Sequence, residues 1–303
     1  MIMQSLLKIW KCNIFPLQLC LLSSIFFLLG CCSLFANTTD IVRFDENYEI
    51  TWGSDHVLSL NQGSEIQLSM DISSGAGFES KLSYGSGFFH LRIKLPNKDS
   101  AGVVTAFYLT SKGKRHDELD FEFLGNREGK PISLQTNVFA DGVGNREQRF
   151  LLWFDPTADF HNYQILWNQH QIIFYVDDIP IRVFKNNEDI GVVYPSKPMK
   201  IEASLWDGDS WATDGGRTKT NWSMAPFKAH FQGFDISGCS IIQNSSNIQQ
   251  CFSPNYWWNS EKYRKLDSKQ QGELQNVRKE YMNYDYCSDR PRYPVPPPEC
   301  LHQ

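Results

Sequence analysis

Residues 116–125 of this 303-residue chain admit one kind of local structure. Glu118, Asp120 and Glu122 alternate with Leu119, Phe121 and Phe123. This is the period-two pattern of a strand with one face in a core and the other toward water. It sets three carboxylates side by side on one rigid ridge, where they repel one another. A plain solvated strand face shows the same alternation, and clustered carboxylates also bind calcium. Two glutamates flanking a scissile bond are, however, what glycoside hydrolysis requires, and an acid between them can hold a proton and orient its neighbours. The chain around the ridge is 14 % aromatic, and exposed Trp and Tyr rings are the usual platforms for the C–H faces of sugars. That combination favours catalysis.

The short-strand texture continues along the chain. Residues 88–95 alternate until Pro96 and Asn97 end the run, and 132–139 alternate with Ser133, Gln135 and Asn137 on the polar side. Runs 163–167 and 172–176 are separated by a short polar link, a hairpin signal. Asp177-Asp178-Ile179-Pro180 turns the chain before 181–184, and 199–206 and 227–234 complete the set. Many short strands with little helix predict an all-β sandwich. The tail differs: Asp267 or Ser268 is placed to cap a helix running to about Tyr281, with Leu274, Val277 and Tyr281 at helical spacing. Lys279 and Glu280 belong to its solvated face. Four prolines in 294–298 predict an extended ending, and the tail reads as an appendage to one domain. There is no internal repeat.

Residues 1–36 have the pattern of a secretory signal: Lys8 and Lys11 precede an almost wholly apolar 17–35, and Ala36 is the last residue before cleavage. An uncleaved signal anchor is the alternative, since the run approaches bilayer-spanning length. The expected organisation is a signal peptide (1–36), a catalytic β-sandwich domain (37–238) and a disulfide-linked C-terminal extension (239–303). Cys239, Cys251, Cys287 and Cys300 survive cleavage, an even number in an exported chain, so two disulfides are expected. Sequential pairing, Cys239–Cys251 and Cys287–Cys300, closes two short loops. The spacings are too wide for a zinc knuckle, and no metal is expected. A net charge of −5 argues against nucleic acid, whose phosphates need a basic surface, and leaves neutral polysaccharide open.

Residues four apart on a strand lie about 13 Å apart at Cα, whereas a retaining glycosidase needs its carboxyl groups about 5–5.5 Å apart. Two long Glu side chains leaning together, helped by strand twist, close much of that gap. Asp120 is too short to be either main actor but can share a proton with Glu118. On these residues alone either glutamate could be the nucleophile.

The 116–125 stretch resembles the active-site strand of the plant xyloglucan endotransglucosylase/hydrolases of glycoside hydrolase family 16. The likeness extends to Leu134-Gln135-Thr136-Asn137, to 144–150 and to Leu152-Trp153-Phe154-Asp155-Pro156-Thr157. It includes Ser204-Leu205-Trp206, Trp211-Ala212-Thr213-Asp214-Gly215-Gly216 and Ala225-Pro226-Phe227. In the tail it covers Val277-Arg278-Lys279 and Tyr286-Cys287-Ser288-Asp289. The resemblance implies a concanavalin-like jelly roll of two curved antiparallel sheets with the glutamates in a long open cleft. It assigns Glu118 as nucleophile, Asp120 as helper and Glu122 as general acid/base, with no cofactor. Gln135, Thr136 and Asn137 would contact donor sugars. Asn145, Arg146 and Glu147 would reach the same cleft from a turn. Trp211 is an aromatic platform beside Ser210, Gly215 allows close backbone approach, and Arg292 matches an acceptor-side arginine.

The implied partners are xyloglucan donor and acceptor chains, met in the cell wall by a secreted monomer that has no membrane association once the signal is removed. Two positions depart from the family pattern. Ser210 replaces an acid, and Asn126-Arg127-Glu128 replaces the usual glycosylation sequon. Other sequons stand at Asn221, Asn244 and Asn37. Net hydrolysis competes with transfer, although 217–222 looks more like the transferases, and the departures leave cellulose or mixed-linkage glucan as alternative donors. A lectin-like wall-binding module without turnover is the reading from another class. The intact Glu118–Asp120–Glu122 set opposes it, because a binding cleft gains nothing from three adjacent acids.

Overall fold

The computed structural model describes residues 41–241 and 248–301. The signal segment, Asn37 and Asn244 lie outside the described residues. After a short helix α1 (Phe44–Asn47) the chain builds two antiparallel sheets. The first runs, in spatial order, β1 (Tyr48–Trp52), β4 (Ala76–Ser80), β13 (Lys200–Asp207), β6 (Val103–Thr110), β7 (Glu118–Leu124), β8 (Ser133–Phe139), β9 (Gln148–Leu151) and β16 (Met282–Asp285). The second runs β12 (Ile179–Lys185), β11 (Gln171–Val176), β10 (His161–Trp167), β5 (Ser83–Lys94), β14 (Phe227–Gln232), β3 (Glu65–Met70) and β2 (Val57–Leu60), with β15 (Ser237–Ile241) also pairing β5. Among the described residues no helix is long and apolar enough to cross a membrane.

The two sheets face each other across one apolar core, and β7 is fixed by it. Its inward residues Leu119, Phe121 and Phe123 are buried. Phe121 meets Phe174 of β11 edge-on at 5.2 Å, and Phe123 meets Tyr163 of β10 at 4.6 Å. Each such pair is worth about 0.5–1.5 kcal/mol beyond the area it buries. Because side chains alternate, seating these rings forces Glu118, Asp120 and Glu122 onto the outer face.

The tail is more than an appendage. It supplies β16 to the edge of the first sheet. Ile248, Cys251, Trp258 and Leu266 pack over Leu166, Ile173 and Tyr175 on the outward face of the second. Helix α2 (Ser268–Glu280) begins where its capping residues place it: Asp267 accepts from the Gln270 backbone N–H at 2.9 Å, and the Gln270 side chain returns the bond to the Asp267 N–H at 3.2 Å. The proline-rich ending is not extended throughout. Pro298–Leu301 forms a 3-10 turn that buries Glu299. Both disulfides, Cys239–Cys251 and Cys287–Cys300, are formed. The strand expected over 227–234 stops at Gln232, because Gly233 turns away with φ of 78°.

Candidate active site

The register of the first sheet sets what surrounds each carboxylate. Asp120 pairs with Tyr108 of β6 and Asn137 of β8, Glu122 with Ala106 and Gln135, and Glu118 with Thr110 and Phe139. Asp120 is buried, whereas Glu118 and Glu122 are half-buried. Burial holds the Asp120 carboxyl well above the usual carboxylate range, and the charges of Glu118 and Glu122 on either side reinforce it. A side-chain hydrogen bond with Glu118 pushes it in the same direction. His116, stacked on Phe139 with centroids 5.1 Å apart, brings Nε2 to 3.9 Å from Glu118. Among the described residues no three His, Cys, Asp or Glu side chains are arranged to hold a metal ion.

Burial also raises Glu122, against the pull of a donor. Gln135 Nε2 donates to Glu122 at 2.7 Å, while Gln135 Oε1 accepts from Arg149 Nε at 2.6 Å. The two bonds fix the Gln135 amide in one orientation and connect a guanidinium to the carboxyl of Glu122. Arg149 in turn lies over the ring of Tyr284 on β16, at 5.4 Å. Neither Arg149 nor Tyr284 is among the contact residues expected from the sequence. The available signal was period-two alternation in 148–151, which puts Arg149 on the outer face beside Gln135.

The turn before β9 and the extension form a second network. Arg292 donates to Glu147 Oε2 at 2.8 Å and to Asn145 Oδ1 at 2.7 Å, and the Tyr293 hydroxyl donates to the Asn145 carbonyl at 2.8 Å. Asn145, Glu147 and Arg292 are thus brought together. A cavity of about 510 Å³ joins Arg149, Tyr284, Ala212 and Gly215. Trp206 and Trp211 pack beside it over Val104 and Leu124 on the outer face. Thr213 holds this loop in place: its hydroxyl donates to the Gly125 carbonyl at 2.7 Å and accepts from the Gly102 N–H at 2.8 Å.

Not every expected contact residue joins the site. Thr136 sits between Gln135 and Asn137, so the pleat turns it inward. It is fully buried and accepts from Arg182 Nη1 at 3.0 Å, which leaves it no route to a sugar. Arg146 also points away. Its Nε donates to the buried Glu299 at 2.7 Å and its Nη1 to the Val138 carbonyl at 3.3 Å, so it ties the turn to the extension. Asn137 faces outward, but its Oδ1 accepts from the Val138 and Arg146 N–H groups at 2.9 and 3.0 Å, leaving its amide N–H groups for a ligand. Gly215 has φ of 65° with nothing within 4 Å of a Cβ position. Glycine is there for the turn, not for close protein packing, and the open side adjoins the cavity. Close approach belongs to Gly216, where a Cβ would lie 2.0 Å from the Ser210 carbonyl oxygen. Ser210 and Asn221 are both exposed.

Comparison with known proteins agrees with this geometry. The family model for Glycosyl hydrolases family 16 matches residues 44–224, and that for the Xyloglucan endo-transglycosylase (XET) C-terminus matches 252–300. Xyloglucan endotransglucosylase/hydrolase protein 2 of Arabidopsis thaliana is 62 % identical over 92 % of this chain and 96 % of its own. Protein 3 of the same plant is 61 % identical over 86 % and 89 %. Among solved structures, the Bacillus licheniformis beta-glucanase aligns with a TM-score of 0.50 at 25 % identity, over 61 % of this chain and 89 % of that one. An apo Crh5 transglycosylase aligns with a TM-score of 0.51 at 22 % identity, over 66 % and 80 %, and shows the fold alone. Fold, ridge and tail together lead to one conclusion: the chain belongs to glycosyl hydrolases family 16 and, within it, to the xyloglucan endotransglucosylase/hydrolases.

Proposed function

We propose that this chain is a secreted retaining transglycosylase that cuts the β-1,4-glucan backbone of xyloglucan and rejoins it to another xyloglucan chain, remodelling the plant cell wall. The observation that carries the proposal is the row of three carboxyl groups on the outer face of β7, with a buried acid between two half-buried glutamates. Burial pushes the carboxyls of Asp120 and Glu122 up, the direction that suits Glu122 as the group giving a proton to the leaving oxygen and Glu118 as the attacking carboxylate. Glu118 attacks the anomeric carbon as Glu122 gives its proton to the departing 4-oxygen, forming a glycosyl ester. The 4-hydroxyl of an incoming chain then gives its proton to Glu122, its oxygen attacks the same carbon, and Glu118 leaves as carboxylate. Water in place of the sugar hydroxyl gives hydrolysis.

In this scheme 37–238 form the catalytic domain and 239–303 an extension that steadies the acceptor side through Arg292. The protein acts as a monomer. Two disulfides suit an oxidising, extracellular compartment. The test is incubation with separate xyloglucan, cellulose and mixed-linkage glucan donors and one labelled xyloglucan oligosaccharide acceptor. Label in polymer is expected with xyloglucan. New reducing ends without label would establish hydrolysis instead, and label appearing with cellulose or mixed-linkage glucan would move the donor assignment.

Gln135 gives a separate check. Its N–H favours the ionised form of Glu122. Gln135→Met is therefore expected to move the high-pH limb of kcat/KM further up, because the acid then keeps its proton longer. A limb unchanged or moved down would detach Gln135 from the acid/base.

A further inference from the structure

On β1, at the edge of the first sheet farthest from the extension, Trp52 is 42 % exposed. It faces the same way as the carboxylates. Ile50 pairs with the core residue Phe78, a bulge follows, and Trp52 pairs with Gly77. The indole covers the two glycines of that face: a Cβ on Gly77 would be 2.4 Å from Trp52 Nε1 and one on Gly75 would be 3.3 Å from the far end of the ring. Much of the side chain stays open to solvent. Between Trp52 and Glu122 the cross-strand row reads Gly77, Ser204, Ala106. No bulky side chain stands in that row. On its flank, Glu79 and Lys200 are ion-paired, so the margin is polar and the floor is small and smooth.

A trough of small residues ending on an exposed indole suits a sugar ring, whose axial C–H face packs on a π face. The distance is four strand spacings, about 19 Å or roughly four glucosyl units of an extended β-1,4-glucan. We infer that Trp52 is a stacking subsite for the glucan backbone, holding the donor chain about four sugars from the bond that is cut. This rests on the transglycosylase reading above and extends it: the enzyme should read donor length, not only the sugars beside the carboxylates.

The test uses xyloglucan oligosaccharide donors of increasing backbone length and the polymer, with one labelled acceptor. Three proteins are compared: wild type, Trp52→Leu, which keeps an apolar cover over the glycines, and Trp52→Tyr, which keeps a ring. For wild type, KM is expected to drop in a step at the length that reaches Trp52. In Trp52→Leu the preference for long over short donors should fall roughly tenfold, within the range of an aromatic contact, and Trp52→Tyr should restore most of it. A Leu variant with the wild-type length preference would overturn the subsite, as would a wild type whose KM falls smoothly with no step. A wild type that turns over none of these donors would instead overturn the underlying activity.

Discussion

Glu118→Ala is expected to lower turnover of xyloglucan by at least about 10⁴-fold, the scale seen when a covalent nucleophile is removed. In the proposed reaction the Glu118 carboxylate forms the glycosyl ester, so the substitution removes that nucleophile and neither neighbour is placed to replace it. Asp120 is buried, and burial pushes its carboxyl toward the neutral, non-nucleophilic form. Glu122 must be protonated for the first step and ionised for the second, so it cannot also be the attacking carboxylate. Glu122→Gln should be milder, about 10²–10⁴-fold, and its deficit should shrink on donors whose leaving group needs no proton. Binding is the second readout. Trp206, Trp211 and the cavity beside Arg149 are untouched by Glu118→Ala, so affinity for xyloglucan oligosaccharides should persist. Transfer of labelled acceptor and a direct binding assay on the same preparation measure both. Retention of transfer within tenfold of wild type would remove Glu118 from the reaction. Equal behaviour of both proteins in every assay would leave a sugar-binding module.

The residues legible in the sequence were those whose role is set by strand parity. In β7 the alternation alone places the acids on one face and Leu119, Phe121 and Phe123 on the other, and the structure adds only their partners. Parity also explains Thr136: a contiguous sequence motif is not a contiguous surface, because a strand gives its middle residue to the opposite face. Arg146 leaves the cleft for a different reason. Its partner Glu299 lies 153 residues away, and no local pattern announces a bond across that separation. Trp52 shows where parity itself fails. Simple alternation would put Ile50 and Trp52 on one face, but the bulge between them adds a residue, sending Ile50 to the core and Trp52 to the outside. The helix of the tail was legible because its capping residues are local. The tail's place over the second sheet was not, since that depends on long-range burial of Trp258 and Leu266 against β10 and β11.

Asp120 carries the second large effect, and it separates a proton holder from an ionised acid. If Asp120 donates its proton to Glu118, Asp120→Ala removes a preorganised donor and should cost about 10²–10³-fold in kcat. Asp120→Asn keeps an N–H in the same place and should recover a large part of that loss. Were Asp120 ionised, the two variants would be equally impaired. Stability gives an independent reading with a definite sign. The carboxyl binds its proton more tightly in the folded state than in the unfolded chain, where an Asp titrates near 3.9. As pH rises through that unfolded value the native state is the one holding the extra proton. Wild-type stability therefore falls until the raised folded pKa is passed, and above it the whole cost is present. Arg182, buried on β12, opposes the shift, but burial and the two flanking glutamates outweigh it. Asn titrates nowhere, so Asp120→Asn should match wild type at about pH 4 and exceed it at about pH 8. The expected excess is about 0.5–2 kcal/mol in chemical denaturation, the usual range for a relieved site. An Asn variant less stable than wild type at the higher pH would mean that the native Asp120 is ionised and favourably held. The shared proton on which Glu118 depends would then be absent.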